Sequence, residues 1–292
     1  MTGVQTCALP IFEYDWVMDK DKAEDIIVDW ENGESTTMSG AELYKLIFDS
    51  HNPWMLSSNG TIFTHEFEGV IPGILKRWYA ERKELQFKAR EALKADNKIE
   101  HAFWDKRQLV KKINLNSLYG AILNPGCRFF DKRIGQSTTL VGRQIAKHMA
   151  SKVNEIVAGE YDHVGKSIIY GDTDSVYFSA YNVLKKDIEA GNIPWSRDNV
   201  ISLYDQISDE VNGTFSNFML QAFHCPKSRG DVIKAGREIV GSKSLFITKK
   251  RYAVLYYDLD GKRYDVEGKE GKIKAMGLDL KRSDTPEFMQ EF

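Results

Sequence analysis

The chain has 292 residues, of which 42% are hydrophobic and 28% charged, with a formal net charge of -2; that composition supports a sizeable core and more than one subdomain. Cys7, Cys127 and Cys225 are too few and too scattered for a disulfide framework or a zinc cluster, so a reducing, cytoplasmic setting is expected. The start of the chain lacks the basic leader and apolar run of a signal peptide, and nothing after Phe12 continues as a membrane span, so no membrane partner is expected.

Thr2 to Ile11 reads as the one-frame translation of an adapter used in short-read DNA sequencing, so residues 1–11 are set aside as a sequencing-adapter scar that is not native. From Glu13 to Glu34 nine acids face only Lys20 and Lys22, whereas from Lys76 to Lys112 twelve bases face six acids. Such a basic block suits a polyanionic partner, although solvated helix surface accounts for many of these charges. Asn59-Gly60 between Trp54-Met55-Leu56 and Ile62-Phe63 predicts a hairpin with a two-residue turn. Pro72 opens a helix through Leu75, Trp78, Leu85 and Leu93 to a polar turn near Asp96-Asn97, and a second helix from Ile99 to Tyr119 should return antiparallel to it. Ser137 or Thr138 is expected to cap a further helix that carries Leu140, Ile145, Met149 and Val153 and ends at Gly159. Another helix spans Val200 to Phe223, and Asp260-Gly261 joins strands over Tyr252 to Leu259 and Lys262 to Val266. Hairpins mixed with helix pairs indicate an α+β fold.

Chemistry concentrates in Tyr170-Gly171-Asp172-Thr173-Asp174-Ser175. Ser167 to Tyr170 and Val176 to Phe178 favour strands, and Gly171-Asp172 supplies the expected turn between them. Residues two apart in extended chain share a side, so Asp172 and Asp174 aim oxygens at one point, as an oxygen-seeking Mg²⁺ that also binds phosphates requires. Asp, Gly and Ser are also ordinary turn residues, which is the plain alternative. On the second helix Lys112, Asn116 and Tyr119 fall at i, i+4 and i+7. That face offers a charge for a triphosphate and a flat surface for a base pair; its plain alternative is a solvated face ending at a glycine C-cap.

Lys112-x-x-x-Asn116-Ser117-Leu118-Tyr119-Gly120 followed by Tyr170 to Ser175 resembles the paired fingers and palm motifs of family B DNA polymerases. Thr248-Lys249-Lys250-Arg251-Tyr252, expected to open a strand, resembles the segment with which those enzymes hold the primer-template duplex. The tail Lys272 to Leu278, then Ser283-Asp284-Thr285-Pro286, resembles the passage from palm to thumb in the enzymes of tailed phages. The resemblance implies an antiparallel palm sheet backed by helices, with an inserted antiparallel helical-hairpin fingers subdomain. Its expected parts are partial palm over 12–70, fingers over 71–121, palm with the Asp-x-Asp hairpin over 122–270 and the start of the thumb over 271–292. The upstream Asp and Ser-Leu-Tyr-Pro-Ser-like run of these enzymes is not found, and its aspartate is not carried onto any acid between Asp15 and Glu34. The chain is thus expected to be an internal fragment of a longer polymerase.

By that resemblance the function is DNA-directed DNA synthesis, with nucleotidyl transfer from a deoxynucleoside triphosphate to a primer 3′ hydroxyl by two Mg²⁺ ions, Mn²⁺ being the alternative ion. Asp174 is the first choice for metal ligand, and Asp172 is a ligand or close electrostatic partner. Lys112 and Arg82 contact the triphosphate, and Asn116 and Tyr119 lie beside the nascent base pair. A lysine common in the family one turn after Arg82 is here Gln86, so Lys83 or Lys88 takes over or the charge is absent. Lys249, Lys250, Arg251 and Tyr252, with Lys272 and Lys274, hold DNA. The implied partners are primer-template DNA, deoxynucleoside triphosphates and a sliding clamp reached through a C-terminal region beyond this sequence. Two rival readings stay open: a catalytically incomplete nucleic-acid-binding remnant, and a different metal-dependent phosphotransferase with an Asp-x-Asp pair on a strand.

Overall fold

The computed structural model describes residues 26–278 apart from Glu267. The adapter-like start with Cys7, the acidic run as far as Asp25 and the Ser283 to Pro286 segment lie outside the described residues. The chain divides into two compact units, Met1–Val141 with Ala222–Cys225, and Gly142–Gln221 with Pro226–Phe292.

In the first unit, β1 (Ile26–Asp29) pairs antiparallel with β2 (Ser35–Met38). Helix α1 (Gly40–Tyr44) follows and runs on as a π-helical turn over Lys45–Asp49. Ser39 starts α1 with a capping box: its hydroxyl accepts from the Glu42 amide, while its own amide donates to the Glu42 carboxylate at 2.8 Å, so two otherwise orphaned donors are satisfied. Ile26, Leu43, Ile47 and Leu56 form the local core, each buried aliphatic stabilising by about 1.5–3 kcal/mol.

β3 (Trp54–Leu56) and β4 (Ile62–Thr64) form the expected hairpin, but its turn is longer than two residues. Ser57 N–H donates to Thr61 O at 3.0 Å and Gly60 N–H to Ser57 O at 2.9 Å, with Gly60 at φ +80°, so the loop is Ser58-Asn59-Gly60 with glycine in the left-handed position. Asn59 has a second task. Its Oδ1 accepts from the Ser57 and Ser137 hydroxyls and its Nδ2 donates to Arg133 O at 3.0 Å.

Helices α2 (Val70–Lys94) and α3 (Lys98–Ile122) form the predicted antiparallel pair. Asn97 caps α3 by accepting from the Glu100 amide at 3.1 Å. Arg82 Nε donates to Gln108 Oε1 at 3.2 Å, His101 Nδ1 meets Ala89 O at 3.0 Å and Lys88 Nζ sits 5.0 Å from the Trp104 ring centre; early residues of one helix thus meet late residues of the other. Helix α4 (Lys132–Ala158) begins before the expected cap. Ser137 lies inside it and bonds back to Arg133 O at 2.7 Å, while Asp131 caps the helix by accepting from the Arg133 amide at 2.8 Å. The Arg133 guanidinium on the same carboxylate, chiefly by hydrogen bonding, holds Asp131 below the usual carboxylate range.

The second unit contains β5 (Ile168–Asp172), β6 (Ser175–Phe178), α5 (Tyr181–Glu189), α6 (Arg197–Phe223), the short α7 (Lys227–Gly230), β7 (Ile239–Thr248), β8 (Arg251–Leu259), β9 (Lys262–Arg263) and β10 (Lys272–Met276). Val153 of α4 and Ile207, Val211 and Phe215 of α6 make one core, closed by Ile168 and Phe178. Tyr252, Val254 and Tyr256 of β8 make another with Tyr170, Tyr177, Ile239 and Phe246. Mixed helices and antiparallel strands are present, as an α+β chain requires, but the described strands do not form one sheet. β10, β8 and β7 lie in that order with β9 on β8, whereas β1–β2, β3–β4 and β5–β6 are separate pairs. β5–β6 meets the larger sheet through aromatic side chains instead of a hydrogen-bond ladder. Lys272–Met276, expected at the start of the next subdomain, is hydrogen-bonded to β8. None of the described helices is long and apolar enough to cross a membrane.

Candidate functional site

β5 and β6 are paired from Ile168↔Phe178 to Asp172↔Ser175. The turn is therefore Thr173-Asp174, not Gly171-Asp172, and the two aspartates do not alternate along one strand: Asp172 closes β5 and Asp174 sits in the turn. The turn sets the backbone between them. Asp174 N–H donates to Asp172 O at 2.6 Å, and Thr173 takes φ +54°, a left-handed conformation that is strained for a β-branched residue. Strain of this kind collects at functional sites. The Thr173 hydroxyl donates to Asp172 Oδ1 at 3.1 Å. Asp174 is exposed and Asp172 half-buried, and Asp174 opens onto a cavity of about 360 Å³ whose walls include Ser175, Tyr177, Lys234, Ser242 and Lys243.

The basic motif lies on the neighbouring hairpin. β7, absent from the sequence reading, pairs with β8 as far as Thr248↔Arg251, so Lys249-Lys250 is a turn and does not open a strand. Both lysines are exposed, and Lys250 has φ +62°. Lys250 N–H donates to the Tyr170 hydroxyl at 2.8 Å, which joins this turn to the carboxylate hairpin. Tyr252 is only 9% exposed and accepts from the Tyr177 hydroxyl at 3.1 Å, so it supports the turn from within and does not reach outward. Burial, then the Tyr252 hydrogen bond, pushes the Tyr177 phenol well above its ordinary value, keeping the Tyr177 hydroxyl neutral.

The other predicted residues are placed as follows. Lys272 Nζ lies 4.9 Å from the Tyr264 ring centre, and Lys274 Nζ pairs with Glu238 at 2.6 Å, both from β10. In the first unit Lys112 and Asn116 are exposed on α3, while the adjacent Lys111 is held by Glu81 and covers the Trp78 ring. The Tyr119 hydroxyl lies 3.4 Å from both Gly135 O and Thr139 Oγ1. Arg82 is half-buried with Nε engaged by Gln108. The structure thus brings Asp172, Asp174 and the Lys249 to Tyr252 motif together in one unit, and Arg82, Lys112, Asn116 and Tyr119 together on one helical hairpin. The sequence signal of Tyr170, an aromatic in a strand, is that of core, and it does not reveal the bond to the Lys250 amide.

Among the described residues no group of three His, Cys, Asp or Glu side chains gathers as a metal cage. Two exposed or half-exposed carboxylates at one tip still match Mg²⁺, which binds through one or two carboxylates together with substrate phosphates.

The sequence profile of DNA polymerase family B matches residues 35–223. The DNA-directed DNA polymerase of Escherichia phage RB69 is 29% identical over 195 residues, 63% of this chain and 21% of that protein. That of Enterobacteria phage T4 is 30% identical with the same coverage. The DNA polymerase delta catalytic subunit of Oryza sativa subsp. japonica is 29% identical over 221 residues, 74% of this chain and 16% of that protein. A solved family B DNA polymerase from Pyrobaculum calidifontis aligns with 79% of this chain and 23% of its own, at 21% identity and a TM-score of 0.41. The chain spans about a fifth of the length of the phage relatives it matches. With the profile covering more than half of its residues, the chain belongs to DNA polymerase family B.

Proposed function

We propose that the chain carries catalytic and duplex-holding elements of a DNA-directed DNA polymerase, which moves a nucleotidyl group from a deoxynucleoside triphosphate to a primer 3′ hydroxyl under template direction. The observation that carries this reading is the bond from Lys250 N–H to Tyr170, which ties a carboxylate tip to a basic turn within a family B chain. Asp174 is the direct metal ligand, and Asp172 is a ligand or its electrostatic partner; the same oxygen donors accept Mn²⁺. Divalent ions held there supply neutralisation of the triphosphate and a lowered barrier to deprotonating the primer hydroxyl.

The remaining roles belong to the chain's own groups. Lys112 binds the triphosphate and stabilises charge that grows on the leaving pyrophosphate, and Arg82 adds a second clamp with the guanidinium donors that Gln108 leaves open. Asn116 and Tyr119 form a wall beside the nascent base pair. α2 and α3 are the fingers, and β5 to β10 belong to the palm; the pairing of Lys272–Met276 with β8 supports a palm that reaches about Met276. Lys249, Lys250 and Arg251 hold backbone phosphates and so position duplex without reading it. Lys272 and Lys274 add charge along β10, Lys274 after leaving Glu238. The tail motif favours the tailed-phage branch of the family.

The test is primer extension in Mg²⁺ with four deoxynucleotides by a polymerase of the relatives' length that carries residues 26–278, with and without Asp174→Ala. Extension that Asp174→Ala abolishes supports the reading, and extension unaffected by it overturns the assignment of the carboxylates. Duplex binding with no extension by either protein identifies a catalytically incomplete binding remnant.

A further inference from the structure

No backbone ladder joins β5–β6 to β7–β8, so a two-residue basic turn at the end of β7 would be free to sway against the carboxylates were it not fixed by side chains. It is fixed at Lys250 from two directions. The Lys250 amide donates to the Tyr170 hydroxyl at 2.8 Å. On the carbonyl side Gly277, at φ +61°, lies so close that a Cβ there would stand 2.1 Å from Lys250 O. Lys250 itself has the left-handed φ of +62°, uncommon for a residue that carries a side chain. Tyr170 is two residues before Asp172 on β5, and its ring centre is 5.2 Å from that of Phe246 and 5.6 Å from that of Tyr252, the residues that flank the turn on β7 and β8.

We infer that Tyr170 is a positioning residue: its hydroxyl sets the Lys249-Lys250 turn in register with Asp172 and Asp174, so that duplex held by the turn is placed against the carboxylates. The inference rests on the reading of the turn as a duplex contact. Displacements of about 1 Å are enough to degrade a reacting geometry by about 10²-fold, and a swaying turn would supply them. Tyr170 touches neither the duplex nor the triphosphate in this role and acts only through Lys250.

The experiment measures binding of a fluorescein-labelled primer-template duplex to the full chain between 50 and 200 mM salt, about the range over which phosphate contacts are titrated out. The proteins are the natural sequence, Tyr170→Phe, Lys250→Ala, the double variant and Gly277→Ala. Lys250→Ala is expected to weaken binding several-fold and lower the salt slope by about 1. Tyr170→Phe removes no charge yet is expected to reproduce most of that loss, and to add only the smaller share carried by Lys249 once Lys250 is already alanine. Gly277→Ala, which displaces the same residue from its other side, should match Tyr170→Phe. The Lys250 amide should also lose hydrogen-exchange protection in Tyr170→Phe. A purely structural tyrosine would lower stability with no coupling to Lys250. Natural affinity and slope in Tyr170→Phe, a loss that adds in full to Lys250→Ala, or an unchanged Lys250 amide would each overturn the inference. Unchanged binding in Lys250→Ala would instead remove the duplex reading of the turn, and the inference with it.

Discussion

His148 of α4 is 7% exposed and wedged in the second unit, parallel to the Phe218 ring at 4.0 Å between centres. The Thr214 hydroxyl donates to Val211 O at 2.7 Å, so toward His148 Nε2, 2.9 Å away, it accepts. Nε2 therefore carries the proton, and Nδ1 accepts from the Tyr161 hydroxyl at 2.8 Å, which satisfies the neutral imidazole completely. Burial first, then the Lys152 ammonium one turn on, lowers the His148 pKa from 6.5 to about 4, against a smaller opposing effect of Glu155. The fold therefore favours the uncharged ring. Its contribution is intact above pH 6.5, declines as pH falls through that value and is fully lost below about 4. At about 1.36 kcal/mol per pH unit the whole loss is about 3 kcal/mol, of which about 2 kcal/mol has gone by about pH 5.

Urea unfolding between pH 4.5 and 7.5, followed by tryptophan fluorescence, measures this directly in the natural chain and in His148→Gln. The amide keeps one donor for Thr214 and one acceptor for Tyr161 but does not titrate. His148→Gln should be less stable at pH 7.5 by about 1 kcal/mol for the lost ring contact, and the two proteins should converge or cross by about pH 5. Parallel curves, or an imidazole that titrates near 6.5 by NMR, would refute the reasoning.

Asp258 is 2% exposed and accepts from Arg237 Nη1 at 2.5 Å and from the Gly261 amide at 3.1 Å; Asp258→Ala leaves the half-buried Arg237 guanidinium to Asp205 alone and should cost about 2–3 kcal/mol by urea unfolding. Asn154 is fully buried, donating to Glu160 O and accepting from the Ser167 amide and hydroxyl, and a Cβ on Gly165 would fall 2.0 Å from its Nδ2. Gly165→Ala should therefore destabilise by about 1–3 kcal/mol, and an unchanged melting temperature would show that the loop relaxes freely. Thr173→Gly removes a left-handed β-branched residue and should leave stability equal or raise it by up to about 1 kcal/mol, while weakening Mn²⁺ binding read by electron paramagnetic resonance, because the turn that aims Asp174 is loosened. Tighter Mn²⁺ binding in that variant would sink the link between strain and the site.

The sequence exposed local features well where a single residue type has one strong conformational consequence. Pro72 in a first turn, the short connection between α2 and α3, and Asp260-Gly261, both at positive φ, are features of this kind. It exposed less where a polar side chain serves a distant partner. Asn59 reads as a turn residue, yet the hydroxyl of Ser137 and the carbonyl of Arg133, more than seventy positions on, depend on it. Ser137 reads as a cap for the same reason that it does not act as one: its hydroxyl is committed to Asn59 and to the preceding turn.

The candidate site shows the same division. Asp172, Asp174 and the Lys249 to Tyr252 run stand out in the sequence as candidates, because two carboxylates and three bases fall in short runs beside strand-forming residues. Their geometry does not. Lys249-Lys250 carries none of the glycine or asparagine that marks a two-residue turn, so β7 was hidden and the motif was assigned to the opening of a strand. The groups that meet Lys250 at its left-handed φ, Tyr170 on its amide and Gly277 by its carbonyl, lie eighty residues before it and twenty-seven after it. A local pattern cannot contain such a term. The same fact explains why Tyr170 reads as core in the sequence and as a tie to the basic turn in the structure: its ring contributes burial in the aromatic cluster, while its hydroxyl accepts from a backbone amide in the only turn that presents two exposed lysines among the described residues.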